Sequence, residues 1–167
     1  MARVSELRVD YIDRPLGLEN RRPRFSWTIE GEGRDLRQAA YRVQVAAHEA
    51  ALANGDWLWD SGRIASSRSL DVVYEGPDLA SRQRCVWRVN LWLMADGEPV
   101  QSAASWFEMG LLDADDWSAA WIAAPALEGD DGKTPLPAAL LRRRFSSAGP
   151  LIAARLYVTA LGAYEIS

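Results

Sequence analysis

Leu7 and Val9 alternate with Arg8 and Asp10, and further along Phe25, Trp27 and Ile29 alternate with Arg24, Ser26 and Thr28. The same period of two sets Tyr41, Val43 and Val45 against Arg42 and Gln44, and Cys85, Trp87, Val89 and Leu91 against Arg84, Arg88 and Asn90. Successive side chains of an extended chain point to opposite faces, so each run predicts a strand with one dry and one wet side. Shorter candidates fall at 58–60, 70–74 and 104–109, separated by turn-forming pieces such as Ser61-Gly62 and Glu75-Gly76-Pro77-Asp78. Seven strands within about 110 residues predict an all-β, immunoglobulin-like or fibronectin type III-like β-sandwich.

One segment breaks the alternation. Residues 46–53, AAHEAALA, are alanine-rich and predict a short helix ended by Asn54-Gly55. A helix of about two turns does not persist alone in water, so it is expected as an insertion leaning on the sandwich.

Beyond Gly110 the pattern changes. GLLDADDWSAAWI is irregular, with grouped acids, and residues 123–137 are rich in Gly, Pro and Asp without periodicity. Alternation returns at 141–145 and again at 155–161, where Leu156, Val158 and Ala160 oppose Arg155, Tyr157 and Thr159. The organisation expected is a sandwich over 1–110, an interdomain segment and loop over 111–137, and the incomplete start of a second β-sandwich over 138–167. Two or three strands do not normally make a core of their own, so the second folding unit is expected to continue beyond Ser167.

Composition narrows the partners. With 49% hydrophobic and 25% charged residues, the 167-residue chain sustains an ordinary core, which argues against global disorder. A net charge of −4 sets up no basic field, so neither nucleic acid nor a membrane surface is an expected partner. Arg14, Arg21, Arg22 and Arg24 read as a solvated face rather than a phosphate site. The opening MARVSELRVDYIDR is charged throughout and unlike a signal peptide, and no apolar run approaches the about 20 residues of a membrane helix, so a cytoplasmic location is expected.

Candidate chemistry is sparse. Gly31-Glu32-Gly33 lacks the spacing of a phosphate cradle and reads as a turn. His48 has no triad or metal partner nearby and reads as a surface or packing residue. Cys85 reads as a small hydrophobe in a strand. Asp113, Asp115 and Asp116 offer carboxylates for acid/base work or calcium, but consecutive acids in a loop more often cap a helix or face solvent. No catalytic residue, metal site or cofactor is therefore assigned, and substrate-binding residues stay open.

The most unusual feature is the count of eight tryptophans, because aromatic faces stack on sugar rings. Trp27 and Trp87 sit at core parity and Trp106 adjoins Phe107, while Trp57 and Trp59 flank a short strand. Trp117 and Trp121 fall between the two expected domains, where they are read as glue. Packing is the favoured role for each.

Several motifs follow one another in order: LRVDY, PLGLENRRPRFSWTI, RQAAYRVQVA, WDSGRI, YEGPDLASRQRCVWRV, SWFEMGLLDADDWSAAWI, then LRRRF and RLYVTALGAYEIS. The series spans nearly the whole chain and resembles the N-terminal end of bacterial α-L-rhamnosidases of the large multidomain type. That resemblance implies a fibronectin type III-like first domain ending near Gly110, then the start of a jelly-roll-like domain often described as carbohydrate-binding. It further implies that catalysis lies in a later helical barrel, where an inverting mechanism uses a carboxylic acid and a carboxylate about 6.5–9.5 Å apart. Nothing here matches that catalytic region, so no catalytic residue carries over. Cys85 departs from the aromatic common in similar sequences, and an Asn-Gly turn expected after Tyr164 is absent before Ser167.

The function expected is a non-catalytic accessory region of an α-L-rhamnosidase, partnered by the rest of that enzyme and inactive alone. The alternative is a stand-alone module binding protein or carbohydrate, including rhamnose-containing glycans, through exposed tryptophans.

Overall fold

The computed structural model describes residues 2–32, 36–94, 97–123, 140–161 and 163–166. It divides into two units, residues 1–119 and 120–167.

The first unit is a two-sheet sandwich. Its strands are β1 (Arg3–Val9), β2 (Ile12–Asp13), β3 (Leu16–Leu18), β4 (Arg24–Glu30), β5 (Ala40–Ala46), β6 (Trp59–Asp60), β7 (Val72–Val73), β8 (Arg84–Trp92), β9 (Val100–Gln101) and β10 (Ser105–Met109). One sheet runs β2-β1-β4-β7; the other runs β3-β10-β8-β5-β6, with β9 also paired to β8. All seven strands expected from alternation are present. The three additional ones, β2, β3 and β9, have only two or three residues each, too few to show a period.

Register explains the alternation. Val43 lies opposite Val89, Val45 opposite Trp87, and Cys85 opposite Phe107, so these rows face inward together. They meet Val9, Phe25 and Trp27 of the first sheet in one buried core. Phe25 is its aromatic centre, with ring centroids 4.6 Å from Trp87 and 6.0 Å from Phe107. On the outer face of the first sheet, Arg3 opposes Glu30 and Ser5 opposes Thr28, a polar ladder that keeps that face wet.

A two-residue turn, Asp10-Tyr11, joins β1 to β2, both residues adopting positive φ (44° and 68°) as a type I′ hairpin requires. The chain then crosses to the second sheet at Pro15, whose missing N–H suits the end of a pairing run. There β3 lies parallel to β10. The two backbones approach so closely that a Cβ on Gly110 would lie 3.2 Å from the Gly17 carbonyl oxygen, while Gly17 itself has open space around it and is glycine for its positive φ of 79°.

The helix differs in its bounds from the expected 46–53: α1 spans Glu49–Asn54. Ala46 belongs to β5 instead, because pairing with Val86 wins over the helix preference of alanine. The His48 Nδ1 accepts the Ala51 N–H at 3.1 Å and caps the helix. Ala51 and Leu52 pack on Ala46 and Val86 on the outer face of the second sheet, flanked by Trp57 and Trp106, so the insertion does lean on the sandwich.

Of the second unit, residues 120–123, 140–161 and 163–166 are described. Its described residues form no strand, at 141–145 and 155–161 included, and Leu140, Phe145, Ile152 and Leu161 are each more than four-fifths exposed. Alternation marks a potential dry side, but a strand also needs a neighbour for its N–H and C=O groups, and among the described residues of this unit none is present. The expected loop over 123–137 lies, apart from Ala123, outside the described residues. Among the described residues no helix is long and apolar enough to cross a membrane.

Candidate functional site at the exit of the sandwich

The chain leaves the sandwich through β10 and is immediately refastened. Gly110 N–H donates to the Leu18 carbonyl at 2.8 Å, and the Gly110 carbonyl accepts from Arg82 N–H at 2.9 Å. Leu112 packs against the core, and its N–H donates to Ser81 Oγ at 2.9 Å. A short 3-10 turn, Ala114–Asp116, follows, with Asp113 at its N-terminal boundary.

Two arginines grip that turn. Arg21 donates through Nη2 to both carboxylate oxygens of Asp113 at 2.8 Å and through Nη1 to the Leu79 carbonyl at 2.8 Å. Arg82 donates to the Asp116 carbonyl at 2.9 Å, and Ser81 Oγ donates to the Asp116 carboxylate. The Asp116 carboxylate in turn accepts the Asp113 N–H at 3.1 Å. The Ser81 hydroxyl, the Asp113 N–H and the Arg82 charge hold the Asp116 carboxyl below the usual carboxylate range. Its Oδ2 accepts both hydrogen bonds and its Oδ1 faces the Arg82 guanidinium at 4.0 Å, and a group kept ionised in this way is a poor proton donor. Asp115 is exposed.

Sequence patterning missed this clamp. Arg21 is not simply solvated, and neither Ser81 nor Arg82 stood out; the one sign was that all three lie within the ordered motifs. The other arginines of the cluster face acids as well: Arg14 meets Asp13 at 3.4 Å, Arg22 meets Asp78 at 3.6 Å and Arg24 meets Asp71 at 3.9 Å.

The tryptophans divide by position. Trp27 and Trp87 are fully buried, and Trp59 stacks on Phe25 at 6.1 Å. Trp57 and Trp106 are half-buried beneath the guanidiniums of Arg42 and Arg84, 4.9 and 4.2 Å from their ring centroids. Trp117 is 41% exposed and Trp121 is 68% exposed. His48 is spent on the helix cap and Cys85 is buried in β8. Gly31 and Glu32 are exposed, and Gly33 lies outside the described residues. Among the described residues no three His, Cys, Asp or Glu side chains are grouped to hold a metal ion.

The family model for the Rha78A-like, N-terminal immunoglobulin domain matches residues 4–113. The chain belongs to that family. The match closes on Asp113, the residue that Arg21 grips, so both halves of this pair fall within the Rha78A-like domain. An α-L-rhamnosidase of Streptomyces avermitilis is 45% identical over 124 residues, covering 74% of this chain and 12% of the relative. One from Formosa agariphila is 36% identical over 157 residues, covering 92% and 17%. The crystal structure of the Streptomyces avermitilis enzyme complexed with L-rhamnose superposes with a TM-score of 0.70 at 45% identity, covering 75% of this chain and 12% of that one. The α-L-rhamnosidase structure from Dictyoglumus thermophilum gives 0.67 at 31% identity, covering 72% and 14%. The chain thus spans 12% to 17% of the length of these two curated relatives and corresponds to their N-terminal immunoglobulin-like region.

Proposed function

We propose that this chain is the non-catalytic N-terminal spacer of an α-L-rhamnosidase, an enzyme releasing terminal α-L-rhamnosyl residues from glycosides, and that it sets the direction in which the chain leaves for the domains that follow. The observation supporting this most is the clamp of Arg21, Ser81 and Arg82 on the segment after β10. A plain linker has no need of an arginine shared between a carboxylate and a core-side carbonyl or of a docked 3-10 turn; a spacer that orients its neighbour does.

The experiment is hydrolysis of an aryl α-L-rhamnoside by the purified chain. Background rates are expected at every protein concentration; turnover rising with concentration overturns the spacer reading. The second reading, a module binding rhamnose-containing glycans or protein, is favoured by one observation, the exposed Trp117. Trp57 suits it less, since Arg42 covers its ring.

A further inference from the structure

Asn54 ends α1 and Gly55 follows it. In an Asn-Gly pair the asparagine side chain meets the least obstructed of backbone nitrogens, because glycine carries no Cβ. The other two asparagines precede bulkier residues, Asn20 before Arg21 and Asn90 before Leu91. Asn54 and Gly55 are both exposed, and among the described residues no group hydrogen-bonds the Asn54 carboxamide. That side chain is free to turn in water, and only the backbone nitrogen beside it is engaged.

Gly55 closes the helix in the left-handed region, at φ 89° and ψ 10°. Its N–H donates to the Ala51 carbonyl at 3.1 Å, and the Asp56 N–H donates to the same oxygen at 2.9 Å. The Trp57 indole N–H adds a bond to the Leu52 carbonyl at 3.4 Å, and at the other end the His48 Nδ1 accepts the Ala51 N–H at 3.1 Å. With only six residues, the helix opens as one unit, so both caps hold Gly55 in place.

We propose that Asn54 is a site of spontaneous deamidation gated by the C-cap of α1. The Gly55 nitrogen gives up its proton and bonds to the Asn54 Cγ. The side-chain nitrogen leaves as ammonia, carrying that proton, and a five-membered succinimide remains. Water then adds to either succinimide carbonyl and opens one of the two C–N bonds, giving aspartate or isoaspartate. While the cap is closed, the Ala51 carbonyl holds the Gly55 proton and Asn54 keeps a helical backbone, which is not the conformation in which the ring closes. The reaction therefore proceeds from the opened cap.

The product weakens its own gate. A new carboxylate stands at the C-terminal end of α1 beside Asp56, where the helix dipole disfavours negative charge and no basic residue of the last turn offsets it. Isoaspartate also lengthens the backbone by a methylene within the cap. Because α1 lies on Ala46 and Val86 at the outside of the second sheet, the helix loosens while the sandwich stays intact.

The test is peptide mapping by mass spectrometry of the 167-residue chain, incubated at mildly alkaline pH both natively and in urea. Conversion of amide to acid at Asn54 is expected in both, about tenfold slower in the native chain. It is expected to vanish in Asn54→Gln, whose longer side chain closes its ring far more slowly. His48→Ala removes the opposite cap, and is expected to raise the native rate about fivefold while leaving the rate in urea unchanged. The proposal is overturned if Asn54 stays intact in either condition, if the native and urea rates of the parent agree, or if a folded His48→Ala chain keeps the parent's native rate. The first two outcomes need no variant. The spacer reading is untouched by any of them, since neither turnover nor the exit of the chain is involved.

Discussion

The indole Nε1 of Trp27 donates to Oε1 of Gln38 at 2.9 Å inside the core, where neither residue reaches water to any extent. The same Gln38 amide donates to the Ser66 and Arg68 carbonyls, so one side chain joins β4 to the 61–70 segment. Gln38→Leu orphans the indole N–H and both carbonyls at once. A loss of about 3 kcal/mol is expected from the urea midpoint, together with faster amide exchange around Ser66 to Arg68.

Arg21 and Asp113 form an exposed pair, so its loss is felt locally. Arg21→Ala is expected to lower global stability by less than about 1 kcal/mol. Exchange of the Leu112 to Trp117 amides is expected to rise well beyond that, because the tether over Leu79 and Asp113 is gone. Equal protection in variant and parent would show that the clamp does not order the exit.

Gly76 sits against Tyr74 and Trp59. A Cβ there meets the Tyr74 phenol and lies 2.7 Å from the Trp59 Cβ, and Tyr74 is too deeply buried to retreat. Gly76→Ala is expected to cost about 1–3 kcal/mol, visible as a lower Tm with the fold retained.

Asp60 supplies a pH dependence. Burial pushes its carboxyl up, but the Arg42 guanidinium and the Gly62 N–H outweigh this and hold it below the usual range. A carboxyl depressed in the folded state adds stability that is complete above its unfolded value, about 4, and is lost as pH falls through the folded one. Asp60→Asn is therefore expected to destabilise the chain at neutral pH and to flatten its acid limb below about pH 4 in urea titrations.

Cys85 is fully buried between the sheets, and burial pushes its thiol up to about 12. Alkylation of the native chain by iodoacetamide is expected to run at the rate of unfolding and to accelerate in Gln38→Leu. Rapid labelling of the parent chain would contradict its burial.

The sandwich was legible wherever alternation ran long enough to be seen, and Trp27, Trp87 and Cys85 reached the core by parity alone. The short strands were not, since β2, β3 and β9 exist through their partners rather than their own composition. The exit clamp was invisible for a related reason: Arg21 and Asp113 stand 92 positions apart, and no local pattern links them. At 155–161 the chain has a strand's period, and its described residues pair with no neighbouring strand.

The parallel pairing of β3 with β10 gives the domain a mechanical character. Tension applied between Pro15 and Gly110 drags these two parallel strands past each other lengthwise. The bonds from Glu108 to Pro15 and from Gly110 to Leu18 then bear load together, in shear, instead of opening one by one like a zip. The β3–β10 seam is thus the part of this domain that yields last to lengthwise tension applied across it.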